Sequence, residues 1–127
     1  MPEAILLVDD DPHLIHVLAM FFDIEGYHVL KARDGQQALD LLGEYQPDLV
    51  LLDLMMPGIS GLDVCKQIRA NRKLKHVPVV VFTAADTREE ELKKAGADMF
   101  IAKPYSLEGL RTAVRELIGS GRSAGRS

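Results

Sequence analysis

The stretch Asp48-Leu49-Val50-Leu51-Leu52-Asp53 holds four consecutive branched aliphatic residues between two carboxylates. A short run with no polar alternation is how a strand covered on both faces of a parallel sheet reads, and it is too brief for a buried helix. Four further runs repeat the theme: Ala4-Ile5-Leu6-Leu7-Val8, Tyr27-His28-Val29-Leu30, Val77-Pro78-Val79-Val80-Val81-Phe82 and Met99-Phe100-Ile101-Ala102. They begin about 20 to 30 residues apart, which leaves room for one helix in each gap.

Helical patterns fill those gaps. Leu14, Ile15, Val17, Leu18, Phe21 and Phe22 follow the spacing of one helix face after the cap-and-start pair Asp11-Pro12, and Gly26 supplies a stop. Ala38, Leu39, Leu41, Leu42 and Tyr45 repeat the pattern after Asp34, with Gln37 placed as in a capping box. Leu62, Cys65 and Ile68 follow Ser60, with the acid Asp63 three residues beyond that cap, and Leu107, Leu110, Val114 and Leu117 follow Ser106. The segment from Asp86 to Ala95 has the cap pair Asp86 and Glu89 and a terminating Gly96, yet offers only Leu92 and Ala95 to a core. Held mainly by propensity and local charge pairs, it is predicted to be the loosest element. Strand and helix thus alternate five times, the pattern of an α/β doubly wound parallel sheet, in which function gathers at the carboxyl ends of the strands.

The 127 residues suffice for one domain with an apolar core, and the single cysteine, Cys65, rules out an internal disulfide or a cysteine-based zinc site. Hydrophobic residues at 47% and charged residues at 27% match a globular chain. No apolar run approaches the roughly 18 residues of a membrane span, and Met1-Pro2-Glu3 lacks the basic start of a secretory signal, so a cytoplasmic location is expected. The domain is expected over residues 1–118, with 119–127 a flexible Gly/Ser/Arg tail or linker stub. A net charge of −4 argues against a generic nucleic-acid binder, but it conceals a division. Residues 1–60 hold eleven acids against Lys31 and Arg33, whereas residues 61–127 hold eight acids against thirteen bases.

Polar groups converge at the strand ends: Asp9, Asp10 and Asp11 after the first strand, Asp53 after the third, Thr83 after the fourth, Lys103 after the fifth. Asp11 reads as a helix cap. Carboxylates crowded beside apolar Leu52 and Leu54 call for a positive charge, and a site of carboxylates without histidine or thiolate favours a hard ion such as Mg²⁺. Lys103 adds a mobile cation and Thr83 a hydroxyl donor.

These residues resemble the receiver domain of two-component response regulators. The likeness runs from about Ala4 to Ile118 and rests on Ile5-Leu6-Leu7-Val8-Asp9-Asp10-Asp11, Asp48 through Gly61 with Asp53-Leu54-Met55-Met56-Pro57-Gly58 at its centre, Val80-Val81-Phe82-Thr83-Ala84, and Phe100-Ile101-Ala102-Lys103-Pro104. It implies a flavodoxin-like (βα)5 fold with strand order 2-1-3-4-5. Asp53 would accept a phosphoryl group from a phosphohistidine on a sensor histidine kinase or histidine phosphotransfer protein. Asp10, Asp53 and the Met55 carbonyl would ligate Mg²⁺, with Asp9 acting through a water, and Lys103 would steady the transferring oxygens. Thr83 and Phe100 would form the switch, read out on the face of the fourth helix, fifth strand and fifth helix by a partner or a homodimer. The domain would assist only its own phosphorylation and dephosphorylation, with no nucleic-acid or membrane binding of its own.

Met55 and Ala85, two positions beyond Asp53 and Thr83, cannot orient an attacking water, so slow self-dephosphorylation is expected. Phe100 stands where the family's chemotaxis member has tyrosine and offers no phenolic hydroxyl. The rival readings are an interaction module of the same fold that is never phosphorylated, a small Mg²⁺-dependent phosphohydrolase, and an electron carrier, which three aspartates would deny its flavin phosphate. His13 and His16 lack a third ligand, and Arg69, Arg72, Lys73 and Lys75 read as a solvated loop.

Overall fold

The computed structural model describes residues 3–54, 58–83, 89–102 and 106–126, with side chains 89, 92 and 120–126 left aside. Among the described residues five strands and five helices alternate: β1 (Ala4–Val8), α1 (Pro12–Ile24), β2 (His28–Ala32), α2 (Gly35–Glu44), β3 (Leu49–Asp53), α3 (Gly61–Ala70), β4 (Val79–Thr83), α4 (Glu89–Ala95), β5 (Met99–Ala102) and α5 (Leu107–Arg126). All strand pairs are parallel, in the order β2-β1-β3-β4-β5. The expected doubly wound sheet is therefore the fold.

Alternation along the strands sends side chains to two cores. Leu6, Val8, Val50, Leu52, Val79 and Val81 pack with Ala38 and Leu42 of α2, Val64, Cys65 and Ile68 of α3, and Ala95 of α4. Ile5, Leu7, Leu49, Leu51, Val80 and Phe82 face Leu18 and Phe22 of α1 and Leu110, Val114 and Ile118 of α5. Central strands β3 and β4 are buried at every position, as their unbroken apolar runs require.

The caps hold. Asp11 accepts from His13 N and Leu14 N, Asp34 from Gln37 N, and Ser60 from Asp63 N. The Gln37 side chain returns a bond to Arg33 N, completing a box-like start to α2. The helix stripes are narrower than the sequence pattern: Val17, Tyr45 and Leu107 lie exposed, because a helix laid on a sheet buries only the residues nearest it. β2 runs two residues further than its apolar run, ending at buried Ala32. Helix α5 extends to Arg126, through the stretch whose composition predicts a tail, and the buried positions it contributes among the described side chains end at Ile118. Glu25, after α1, pairs with Arg111 and Arg115, tying α1 to α5.

One expectation is corrected outright. Arg69 does not belong to a solvated loop: its guanidinium donates to the carbonyls of Gly96, Lys75 and Val77 and to the Asp98 carboxylate. It thereby joins the end of α3 to the approaches of β4 and β5. Arg72, Lys73 and Lys75 are exposed as expected. Helix α4, described over Glu89–Ala95, contributes buried Ala95 and has α3 as its main neighbour. The expected cap Asp86 lies outside the described residues.

Candidate functional site

Register brings the acids together. Val8 pairs with Leu52 across β1 and β3, so the next residues along, Asp9 and Asp53, come side by side at the carboxyl edge. Both continue rows already on the page, Ile5-Leu7-Asp9 and Leu49-Leu51-Asp53, which alternate toward the α1 and α5 side. Asp9 retains 4% of its surface exposure and Asp53 5%, while Asp10 is exposed. A carboxylate oxygen from each of Asp9, Asp10 and Asp53 lies within 4.8 Å of the other two.

The turn after β1 is built to hold this arrangement. Asp9 N donates to Ala32 O and carries the β1–β2 ladder one residue past the strand. Asp9 Oδ1 accepts from Asp11 N at 2.9 Å, and Asp11 then caps α1. Of the three consecutive aspartates, two thus face the cluster and the third starts the helix, as the sequence reading divides them.

Three carboxylates within this distance repel one another, and a cation between them relieves that repulsion. The donor set is oxygen only, with one exposed and two buried carboxylates. It suits a hard ion that retains waters and takes phosphoryl oxygens as further ligands, which describes Mg²⁺ better than a zinc or copper centre.

Thr83 ends β4 and keeps 7% exposure. Asp53 pairs with Phe82, so Thr83 lies one step nearer the rim than Asp53. By alternation it follows Val79 and Val81 toward the α3 and α4 side. Phe100, half-buried, pairs in register with Val81 and packs against that same core. Thr83 and Phe100 thus occupy one face of two adjacent strands. Met55, Ala85 and Lys103, the remaining residues singled out by sequence, lie outside the described residues.

Cys65 is fully buried, and desolvation pushes its thiol up to about 11, so at neutral pH it stays protonated and unreactive. The unfolded chain releases that proton first, near the ordinary value of 9.0, so this burial costs stability as pH rises from about 9 to about 11. His13 and His16 belong to no metal-binding group among the described residues.

The sequence names Gly61 only as the end of a motif and gives no signal at Gly35. Their signal is spatial: a Cβ on Gly61 would collide with backbone at the end of β3, and one on Gly35 with Ile59 just before α3.

The sequence matches the family described as response regulator receiver domain over residues 5–115. Response regulator MprA of Mycolicibacterium vanbaalenii is 41% identical over 133 aligned residues, which cover 98% of this chain and 57% of that protein. Polar-differentiation response regulator DivK of Brucella anthropi is 31% identical over 121 residues, covering 94% of this chain and 98% of the relative. Among solved structures, the receiver domain of a sensor histidine kinase from Pseudomonas aeruginosa, with a magnesium ion coordinated in its active site cleft, superposes with a TM-score of 0.86. Its identity is 29%, over 94% of this chain and 99% of that one. The chain spans about half the length of the MprA relatives it matches.

Proposed function

Because the chain belongs to the response regulator receiver domain family, we propose that it is a phosphorylation-controlled signalling module whose phosphoacceptor is Asp53. The observation that carries this reading is the position of Asp53, buried at the end of β3 with its carboxylate within 4.8 Å of Asp9 and Asp10.

The proposed donor is a phosphohistidine on a sensor histidine kinase or histidine phosphotransfer protein. An Asp53 oxygen forms the new bond to phosphorus while the phosphorus–nitrogen bond breaks and its electron pair leaves with the imidazole, giving an aspartyl phosphate. Mg²⁺ would be held by Asp10, Asp53 and the Met55 carbonyl, with Asp9 acting through a water. When bound, it supplies charge neutralisation at the transferring oxygens. Lys103 would add a second positive charge. Burial of Asp9 and Asp53 limits the water that competes for these groups.

After transfer, the Thr83 hydroxyl donates toward the phosphoryl oxygens and Phe100 moves into the space it leaves. Their common face on adjacent strands supports that exchange. The change is read on α4, β5 and α5, by a partner or a second copy of the chain. Since Met55 and Ala85 offer no side chain that orients water, the phosphoryl group is long-lived, persisting for minutes rather than seconds in isolated protein.

Intact-mass measurement after incubation with acetyl phosphate and Mg²⁺ tests the reading. One phosphoryl adduct on the wild type and none on Asp53→Asn is the expected result. No adduct on the wild type, or an equal adduct on both, overturns it. Continuous turnover of generic phosphate esters favours the phosphohydrolase instead.

A further inference from the structure

The backbone just after Asp53 is held from two sides. Leu54 N donates to Phe82 O of β4, and Leu54 O accepts from Gly61 N at the start of α3, both at 3.2 Å. A Cβ on Gly61 would stand 2.5 Å from Asp53 O and 2.9 Å from Leu54 Cα. Both are backbone atoms, so no change of rotamer makes room; the end of β3 and the start of α3 must part. A second close approach lies alongside. A Cβ on Gly35, the first residue of α2, would stand 2.7 Å from Ile59 O and 2.8 Å from Ile59 Cβ.

Neither glycine is required by its backbone angles, since the positive-φ glycines among the described residues are Gly26, Gly58 and Gly96. What Gly61 and Gly35 supply is space. Ser60 caps α3 between Ile59 and Gly61, so the two contacts bracket one short connection that ends on the backbone of Asp53.

We propose that Gly61, and through Ile59 also Gly35, are positioning residues for the phosphoacceptor: their missing Cβ atoms set where Asp53 lies relative to Asp9 and Asp10. The inference rests on the phosphoacceptor reading and adds to it the residues that fix its geometry. Alanine at 61 forces the contact with Asp53 O to widen from 2.5 Å to at least the 3.0 Å that real Cβ contacts respect. That movement falls on the residue whose carboxylate must meet phosphorus, and transfer catalysed by placement is sensitive to displacements of this size.

The test compares wild type, Gly61→Ala, Gly35→Ala and Ile5→Ala, the last being a fully buried residue near the opposite end of β1. Phosphorylation by acetyl phosphate at saturating Mg²⁺ is measured per folded molecule, the folded fraction coming from circular dichroism of the same sample. We expect Gly61→Ala to slow the reaction by about tenfold or more and Gly35→Ala by about threefold. Ile5→Ala, although destabilised, should stay within about twofold of wild type, because its cavity lies away from the rim. Wild-type rates in both glycine variants overturn the proposal, as does an equal slowing of Ile5→Ala. Should Gly61→Ala fail to fold, Gly35→Ala decides; should neither fold, the glycines are structural and the proposal falls. A wild type that accepts no phosphoryl group fails the phosphoacceptor reading itself, a result distinct from all of these.

Discussion

Asp48 and Asp98 stand immediately before β3 and β5, whereas Asp9 and Asp53 stand at the far ends of β1 and β3. The first pair are used alike. Asp48 Oδ2 accepts from Ala4 N, the first residue of β1, while Asp48 N donates to Ala4 O. Asp98 repeats this with Val79, the first residue of β4, and adds Arg69. At the amino edge of a parallel sheet the first N–H of each strand needs an acceptor, and a carboxylate arriving on the neighbouring strand supplies it. At the carboxyl edge the strands end in carbonyls, which cannot donate to a carboxylate. There the acids cluster within 4.8 Å of one another, and an edge rich in oxygen becomes suited to a cation. One residue type thus takes two roles, decided by which end of the strand it occupies.

Substitutions at the two edges should therefore fail differently. Asp53→Asn should abolish phosphoryl uptake altogether while leaving the protein folded, as judged by intact mass and circular dichroism. Asp98→Ala should do the reverse. Removing the acceptor of Val79 N and the partner of Arg69 costs about 2 kcal/mol in denaturant unfolding, with the phosphorylation rate of folded protein unchanged. Asp10→Asn should weaken Mg²⁺ by at least about tenfold in calorimetric titration, about 1.4 kcal/mol, and should raise the melting temperature without Mg²⁺ by relieving repulsion. Asp48→Ala, which gives up the acceptor of Ala4 N, should cost about 1 kcal/mol and leave Mg²⁺ affinity alone. A loss of Mg²⁺ affinity in Asp48→Ala or Asp98→Ala would erase the division between the edges.

The carboxyl edge is far more legible in sequence than the amino edge. Strands declare themselves by apolar runs, and the residue that follows each run is placed at the rim by the fold class alone, so Asp9, Asp53 and Thr83 can be named before any coordinates. Asp48 and Asp98 act on backbone N–H groups 44 and 19 residues away, which carry no side-chain signature. Arg69 is hidden for the same reason: three of its four partner residues offer it carbonyls, and an arginine near the end of a helix otherwise reads as solvated. Gly61 and Gly35 are invisible because what they contribute is an absence, meaningful only once α3 is seen against Asp53 and Ile59 against α2. The stripes of α1, α2 and α5 overstate burial at Val17, Tyr45 and Leu107, since periodicity gives the centre of a face but not its width.

The phosphoryl group is predicted to reside on Asp53 and on no other acid of the cluster. Borohydride reduction of protein treated with acetyl phosphate and Mg²⁺ converts an acyl-phosphorylated aspartate to homoserine, which peptide mass spectrometry then places in the chain. Homoserine at position 53 alone is the predicted result. Homoserine at position 9 or 10, or an unmodified chain, would contradict it.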